Sequence, residues 1–408
     1  MSQPNILLVF SDQEQAPSLT GDLHLPHRER LADSGATFEH AFCTTPQCTA
    51  SRASIMTGRY PQDVGVVTNI GAVGSRPLSP DVPTLGSVFR DAGYATAYMG
   101  KWHLSNDERA PLDDFGFPGR TRLRGDELAE SAARWLTDAP DQPWLLAVSF
   151  VNPHDVYSLP EDQPIHPDAQ LPANLADDVY AKPSCQQRFL DYDQGAQVRD
   201  FGEEDWLRYI SWYHSLIQRV DGHLGLILDA LEASGQADET VIAYTSDHGD
   251  MAGGHGLPFK GPFMYEEILR VPLVVRWPDG VGAGETRDGL ASLIDLAPTF
   301  ASAAGVQWPT YLPGHDLHAL AEDEATHWRD RVFAQYHSKQ RWSNPIRTVR
   351  TDRWKLNEYI DDRDEFYDLQ EDPGELRNQV HTARHADVIG ELRASLHGWR
   401  KDTLDPLM

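Results

Sequence analysis

The sequence predicts an α/β protein: a large, mostly parallel sheet sandwiched by helices, with a small C-terminal antiparallel sheet plus one helix. Three observations carry this. Continuous apolar runs of β type recur at 5–10, 94–99, 144–151, 240–245 and 271–277. Helical patterns separate them. After about residue 325 the texture changes to short strand-like pieces.

Each element has its own reason. Strands buried on both faces lose the polar/apolar alternation and read as unbroken apolar runs, as these five do. Helices are predicted at 51–58, 83–92, 125–137, 204–234 and 293–304. Pro83 suits a first helical turn, and Gly93 and Gly235 suit helix ends. Residues 160–200 are polar, Pro-rich and irregular. Long ordered loops in compact domains are usually functional, so this excursion is expected near the site. Strands at 331–336, 346–351, 354–359 and 365–368, then a helix at 386–401, complete the chain. The expected division is a catalytic unit at 1–325 and an α+β subdomain at 326–408.

Composition narrows the function. Thirty-five Lys and Arg against 62 Asp and Glu leave a formal net charge of −27 across 408 residues. Such a surface argues against nucleic acid, which needs a basic footprint, and against an anionic membrane. A small anionic substrate stays open, because a local cationic pocket can form on an acidic protein. Three cysteines, Cys43, Cys48 and Cys185, are not a disulfide framework. The chain runs from Met1 straight into an apolar strand, with no basic leader or cleavage site, and its most apolar stretch is too short to span a bilayer. The expectation is a cytoplasmic protein.

Asp12 follows the first strand, and Asp247-His248 follow the run 240–245. Ligands bind at the carboxyl ends of strands in open α/β sheets. Asp12, Gln13, Asp247 and His248 together offer carboxylate, amide and imidazole donors for a divalent cation. Either acidic residue alone is more often a turn or cap residue. Cys48 stands just before a helix with Arg52 one turn in. The helix N-terminus and a guanidinium both favour negative charge there, so Cys48 is a candidate nucleophile or oxyanion site. A buried structural cysteine is the alternative.

The segment Cys48-Thr49-Ala50-Ser51-Arg52, followed by Thr57-Gly58-Arg59, strongly resembles the type I sulfatase signature. Cys43 does not satisfy it, since Gln47 lies four residues on. Ser11-Asp12-Gln13, Gly100-Lys101-Trp102-His103, Pro153-His154-Asp155, Ser246-Asp247-His248-Gly249-Asp250 and Lys260 are similar to the family's other motifs, in the same order. Ala50 stands where most members have Pro. The Asp-Gln/Asp-His metal set resembles the choline-sulfatase and phosphonate monoester hydrolase branch.

The resemblance implies an alkaline phosphatase-like fold, a modification and a reaction. Cys48 becomes formylglycine through a formylglycine-generating enzyme and, once hydrated, attacks the sulfur of a sulfate ester. Asp12, Gln13, residue 48, Asp247 and His248 hold the metal, with Ca²⁺ first and Mn²⁺ or Mg²⁺ as alternatives. Arg52, Lys101 and Lys260 bind and polarise the sulfate oxygens, and His103 or His154 holds the nucleophile or assists the leaving alcohol. Asn69, Asp155, Tyr157 and His255 are candidate substrate contacts. Homo-oligomers are common among relatives. The alternatives are a phosphonate monoester hydrolase or phosphodiesterase on the same scaffold, and a catalytically silent binding protein. Of the six lysines, Lys101 and Lys260 fall in these motifs, and Lys182, Lys339, Lys355 and Lys401 read as solvated surface residues.

Overall fold

Strand β1 (Asn5–Asp12) runs through the middle of an eight-stranded sheet in a computed structural model that describes residues 3–107, 109–323 and 328–407. The other strands of this sheet are β2 (Ala36–Phe38), β4 (Ala95–Gly100), β5 (Arg120–Thr121), β6 (Trp144–Pro153), β7 (Thr240–Ser246), β8 (Leu273–Arg276) and β9 (Thr286–Arg287). Their order is β5-β4-β6-β1-β7-β8-β2-β9. The five strands from β5 to β7 are parallel, and β8 runs antiparallel to both its neighbours. A separate pair joins β3 (Ala41–Phe42) to β10 (Ala291–Ser292).

The unbroken apolar runs have the physical cause expected of them. In β1, Ile6, Leu8 and Phe10 pack into one core, and Leu7 and Val9 into another on the opposite face. The first core is closed by the helices Cys48–Thr57, Leu85–Asp91 and Leu296–Ala304, through Ile55, Phe89 and Phe300 among others. The second is closed by Gly125–Thr137 and the 31-residue helix Glu203–Ala233, through Leu128, Leu224 and Leu231. Each fully buried Leu, Ile or Phe contributes about 1.5–3 kcal/mol of transfer free energy, so both faces press the strand into one register.

The C-terminal sheet is antiparallel in the order β11 (Arg331–Lys339), β12 (Trp342–Thr351), β13 (Trp354–Tyr359), β14 (Glu365–Asp368), and the helix Ala386–Asp402 packs on it. The expected boundary at 325/326 lies outside the described residues.

Several local expectations shift. Pro83 precedes the helix cap rather than entering the first turn, because Thr84 caps Leu85–Asp91 through a reciprocal bond with Ser87. Gly93 and Gly235 do close their helices at positive φ. The excursion 160–200 is not wholly irregular: it holds the helix Ser184–Tyr192, which buries Cys185, Gln186 and Phe189. Among the described residues no helix is long and apolar enough to cross a membrane.

Candidate active site

Topology gathers the chemistry. The adjacent parallel strands β4, β6, β1 and β7 end, respectively, just before Lys101, before His154, at Asp12, and just before Asp247. Four motifs 150 or more residues apart in places thus emerge side by side at one sheet edge. Gly100 lies so close to β6 that a Cβ there would sit 2.1 Å from the Ser149 carbonyl oxygen, and its φ is +94°. Gln13 and His103 take positive φ values of 75° and 60°, which an L side chain occupies only when its surroundings impose them.

The helix Cys48–Thr57 meets this edge with its N-terminus, and Cys48 is its first residue. The Cys48 Sγ lies 3.6 Å from Asp12 Oδ1, 3.2 Å from His248 Nε2 and 3.1 Å from Lys260 Nζ. His103 and His154 both interact with the Cys48 side chain. Burial pushes the Cys48 thiol up, but Lys101, Lys260 and His248 outweigh it and hold the group well below its usual range. The other two cysteines lack this cationic setting, and burial pushes both Cys43 and Cys185 up. The geometry therefore separates Cys48 from its neighbours.

Asp12, Cys48, Asp247 and His248 bring their donor atoms within 4.8 Å of one another, and all four are buried. His248 Nδ1 faces the Gly249 carbonyl at 2.9 Å. A carbonyl only accepts, so Nδ1 carries a hydrogen, and Nε2 is the ring atom that faces the cluster. Hard carboxylate oxygens with one imidazole and the residue-48 donor fit a divalent cation. Gln13 stands beside them. Its amide oxygen accepts from Lys260 Nζ, and its Nε2 donates to Asp250 Oδ2 at 2.6 Å.

Asp250 was not singled out from the sequence, although it closes the Asp247–Asp250 motif. It also accepts from Tyr209 at 2.9 Å and from the Ala252 amide at 2.8 Å, so it fixes which end of the Gln13 amide faces the cluster.

Arg52 does not stand where a sulfate oxygen could meet it. Its guanidinium donates to Asp247 Oδ2 and Asp12 Oδ2, both at 2.8 Å, and to Ser149 Oγ and the Lys101 carbonyl, both at 2.7 Å. With 1% of its surface exposed, it braces the two carboxylates from behind. Lys101 is paired with Asp12. Burial and the Cys48 charge push the Asp12 carboxyl up, yet Lys101 and Arg52 prevail and hold it below the usual range.

In front of Cys48 opens a cavity of about 400 Å³, lined by His103, His154, Tyr157, Lys260 and Asn69 among the expected residues. Asn69 also accepts from the Thr49 amide at 2.9 Å, which caps the helix start. Tyr157 stacks on Phe259 with centroids 4.0 Å apart. Two expected contacts fall elsewhere. Asp155 is exposed to solvent and only its backbone is engaged, by Trp212. His255 is 1% exposed, and its Nδ1 pairs with Asp177 at 2.7 Å, tying the excursion to its own loop.

The remaining wall includes polar residues with no motif role to mark them: Gln47, Gln194, Tyr336, Lys339 and Gln340. Gln47 donates to the Ser338 carbonyl at 2.8 Å, which draws β11 against the helix start. Nor are the remaining lysines all solvated: Lys182, Lys339 and Lys355 are buried, and Lys401 alone of those four is exposed.

The family model described as "Sulfatase" matches residues 4–306, about three quarters of the chain. The chain belongs to the sulfatase family. A second model, "N-sulphoglucosamine sulphohydrolase, C-terminal", matches residues 253–402 of this sulfatase-family protein. It is 30% identical to an uncharacterized sulfatase, YidJ, of Escherichia coli (strain K12), over 100% of this chain and 89% of that protein. It is 29% identical to a choline-sulfatase of Rhizobium meliloti (strain 1021), over 94% and 83% of the two chains. Its structure is similar to that of a phosphonate monoester hydrolase of Agrobacterium radiobacter, with a TM-score of 0.85 at 25% identity over 98% and 96%. Sulfatases of this family depend on a metal and on formylglycine, and the buried cluster and Cys48 supply a place for each.

Proposed function

We propose that the protein hydrolyses a small sulfate monoester to an alcohol and inorganic sulfate, with formylglycine at position 48 as nucleophile. The observation that carries this is Cys48 itself. Its sulfur sits at a helix N-terminus, within hydrogen-bond reach of Lys260 and His248, and Lys260 lines the adjoining cleft. A silent binding protein has no use for a buried thiol so placed.

Asp12, Gln13, Asp247, His248 and residue 48 would hold the metal, which supplies charge neutralisation and a lowered hydroxyl pKa. Ca²⁺ is the first candidate, and Mn²⁺ or Mg²⁺ the next. Hydrated formylglycine supplies an oxygen nucleophile and a route to expel sulfate after the alcohol has left. Lys260 and Lys101 stand where charge on the sulfate oxygens develops. Arg52 acts through Asp12 and Asp247, by holding them in place. His103 and His154 flank residue 48 on the cavity side, where one steadies the nucleophile and the other faces the leaving oxygen. A formylglycine-generating enzyme is the partner this chemistry requires.

The Gln13/His248 donors and the likeness to a phosphonate monoester hydrolase favour one second reading, hydrolysis of a phosphonate monoester or phosphodiester. A sulfate monoester and a phosphate diester carry the same single charge, so one cleft admits either. Peptide mapping around residue 48, metal analysis, and kcat/KM on 4-nitrophenyl sulfate against a 4-nitrophenyl phosphonate monoester test both. Formylglycine with a preference for the sulfate supports the first reading. An unmodified thiol in active enzyme overturns it, and a preference for the phosphonate installs the second.

A further inference from the structure

Lysine is scarce in this chain, and where its buried copies find their counter-charges is informative. Lys101 pairs with Asp12, Lys182 with Asp177, and Lys355 with Glu266 and Glu375. Only two buried lysines lack a carboxylate partner among the described residues: Lys260 and Lys339. Both line the active-site cavity. Burying a cation without a paired anion is costly, so such a group either gives up its proton or draws an anion into the site. Lys260 touches the Cys48 sulfur and so belongs to the transferring sulfate. Lys339 is left over.

Resting on the sulfatase reading above, we propose that Lys339 and Tyr336 form a second anion subsite, which selects sulfate esters whose alcohol half carries a further negative charge. Lys339 ends β11 and is 7% exposed. Its Nζ donates to Gln194 Oε1 at 2.6 Å and to the Lys260 carbonyl at 2.9 Å, which uses two of its three hydrogens. The bond to the Lys260 backbone places it one lysine side chain away from the sulfate centre. Tyr336, on the same strand, lines the same cavity, and its buried hydroxyl has no hydrogen-bond partner among the described residues. On a protein of net charge −27, no Asp or Glu among the described residues lines this cavity. A carboxylate or a second sulfate on the alcohol would satisfy both groups. A quaternary ammonium would face two lysines and no carboxylate on the cavity wall, so choline-type substrates are disfavoured despite the choline-sulfatase relative.

Burial drives the Lys339 ammonium down to about 7, with Lys260 adding to the fall and Asp193 and Cys48 opposing it. The subsite is therefore cationic below neutrality and loses its charge as pH rises through that value.

The test uses the full-length protein with residue 48 converted and four phenyl sulfates bearing a para carboxamide, carboxylate, sulfonate or trimethylammonium group. The carboxylate and sulfonate arms tell which anion fits. The readout is the ratio of kcat/KM on each anionic ester to that on the carboxamide. A hydrogen bond to a charged group is worth about 1.5–3 kcal/mol, so Lys339→Met should lower that ratio roughly ten- to a hundredfold. Lys339→Arg should restore most of it, and Tyr336→Phe should lower it less. In the parent enzyme the ratio should fall between pH 6 and pH 8.5, and in Lys339→Arg it should stay level. Loss of folding scales all substrates together and leaves the ratio alone. Should Lys339→Met not fold, Tyr336→Phe and the parent pH profile decide. A flat ratio with good turnover, or a preference for the trimethylammonium ester, overturns this inference and leaves the sulfatase reading standing. No turnover of any ester by formylglycine-bearing protein overturns both.

Discussion

Arg52 Nη2 lies 2.8 Å from Asp12 Oδ2 with both side chains buried, and the Nε of the same guanidinium lies 2.8 Å from Asp247 Oδ2. The signature arginine is therefore a brace between two carboxylates of the candidate metal site, held by different strands. Its planar fork reaches two carboxylates, a hydroxyl and a carbonyl at once, which a single ammonium cannot do.

Replacing Arg52 should cost stability as well as activity. Removing one partner of a buried ion pair costs about 3–5 kcal/mol, because the other charge is left uncompensated. Arg52→Ala and Arg52→Lys should both show a lowered urea midpoint, and added divalent cation should restore part of the loss. A midpoint and metal content equal to those of the parent would show that the brace is dispensable.

Asp250 governs Gln13 rather than the metal directly. In Asp250→Asn one acceptor becomes a donor, so the variant cannot hold Tyr209, the Ala252 amide and the Gln13 amide together. Metal affinity should fall about 10- to 100-fold, the usual effect of losing a group that orients a ligand. Titration of metal-stripped protein measures this directly. Unchanged affinity would remove Gln13 from the ligand set.

His214, on the long helix Glu203–Ala233, sets an acid limit on stability. It is 8% exposed, and burial, then His166, depress it from 6.5 to about 4. A histidine whose folded value is lowered contributes stability above its unfolded value, and that contribution is lost as pH falls from about 6.5 towards 4. The shift corresponds to roughly 3 kcal/mol over that interval. His214→Gln should lose less stability than the parent between pH 7 and pH 4.5, by about 2–3 kcal/mol, in paired urea titrations. Parallel curves would assign the acid sensitivity to carboxylates alone.

Much of the site could be read before any coordinates. Asp12, Asp247 and His248 were legible because each follows an apolar run, and a strand's end is a local property. Cys48 was legible because a helix start four residues before an arginine is also local. The short strands β2, β3, β5, β9 and β10 were not, since two or three residues carry no periodicity.

Roles were harder to read than positions. Arg52 looked like a sulfate ligand, and the parallel order β6-β1-β7 turned it into a brace. Asp155 and His255 sit beside motif residues in sequence, yet one faces solvent and the other Asp177. Neighbours along a chain that leaves a strand end point in different directions, so adjacency does not predict which side chain enters the cavity.

The sequence by itself determined the α/β architecture, the family, the position of the candidate nucleophile and the residue types of the candidate metal site, because these depend on runs and motifs of a few consecutive residues. Only the tertiary structure decided which lysines are buried without a carboxylate and which residues wall the cleft. Gln194, Tyr336 and Lys339 wall the cleft beside the Cys48 helix from 146 to 291 positions beyond Cys48 along the chain. Their charge environment comes from packing between the C-terminal sheet and the main sheet's edge, and no local pattern encodes that encounter.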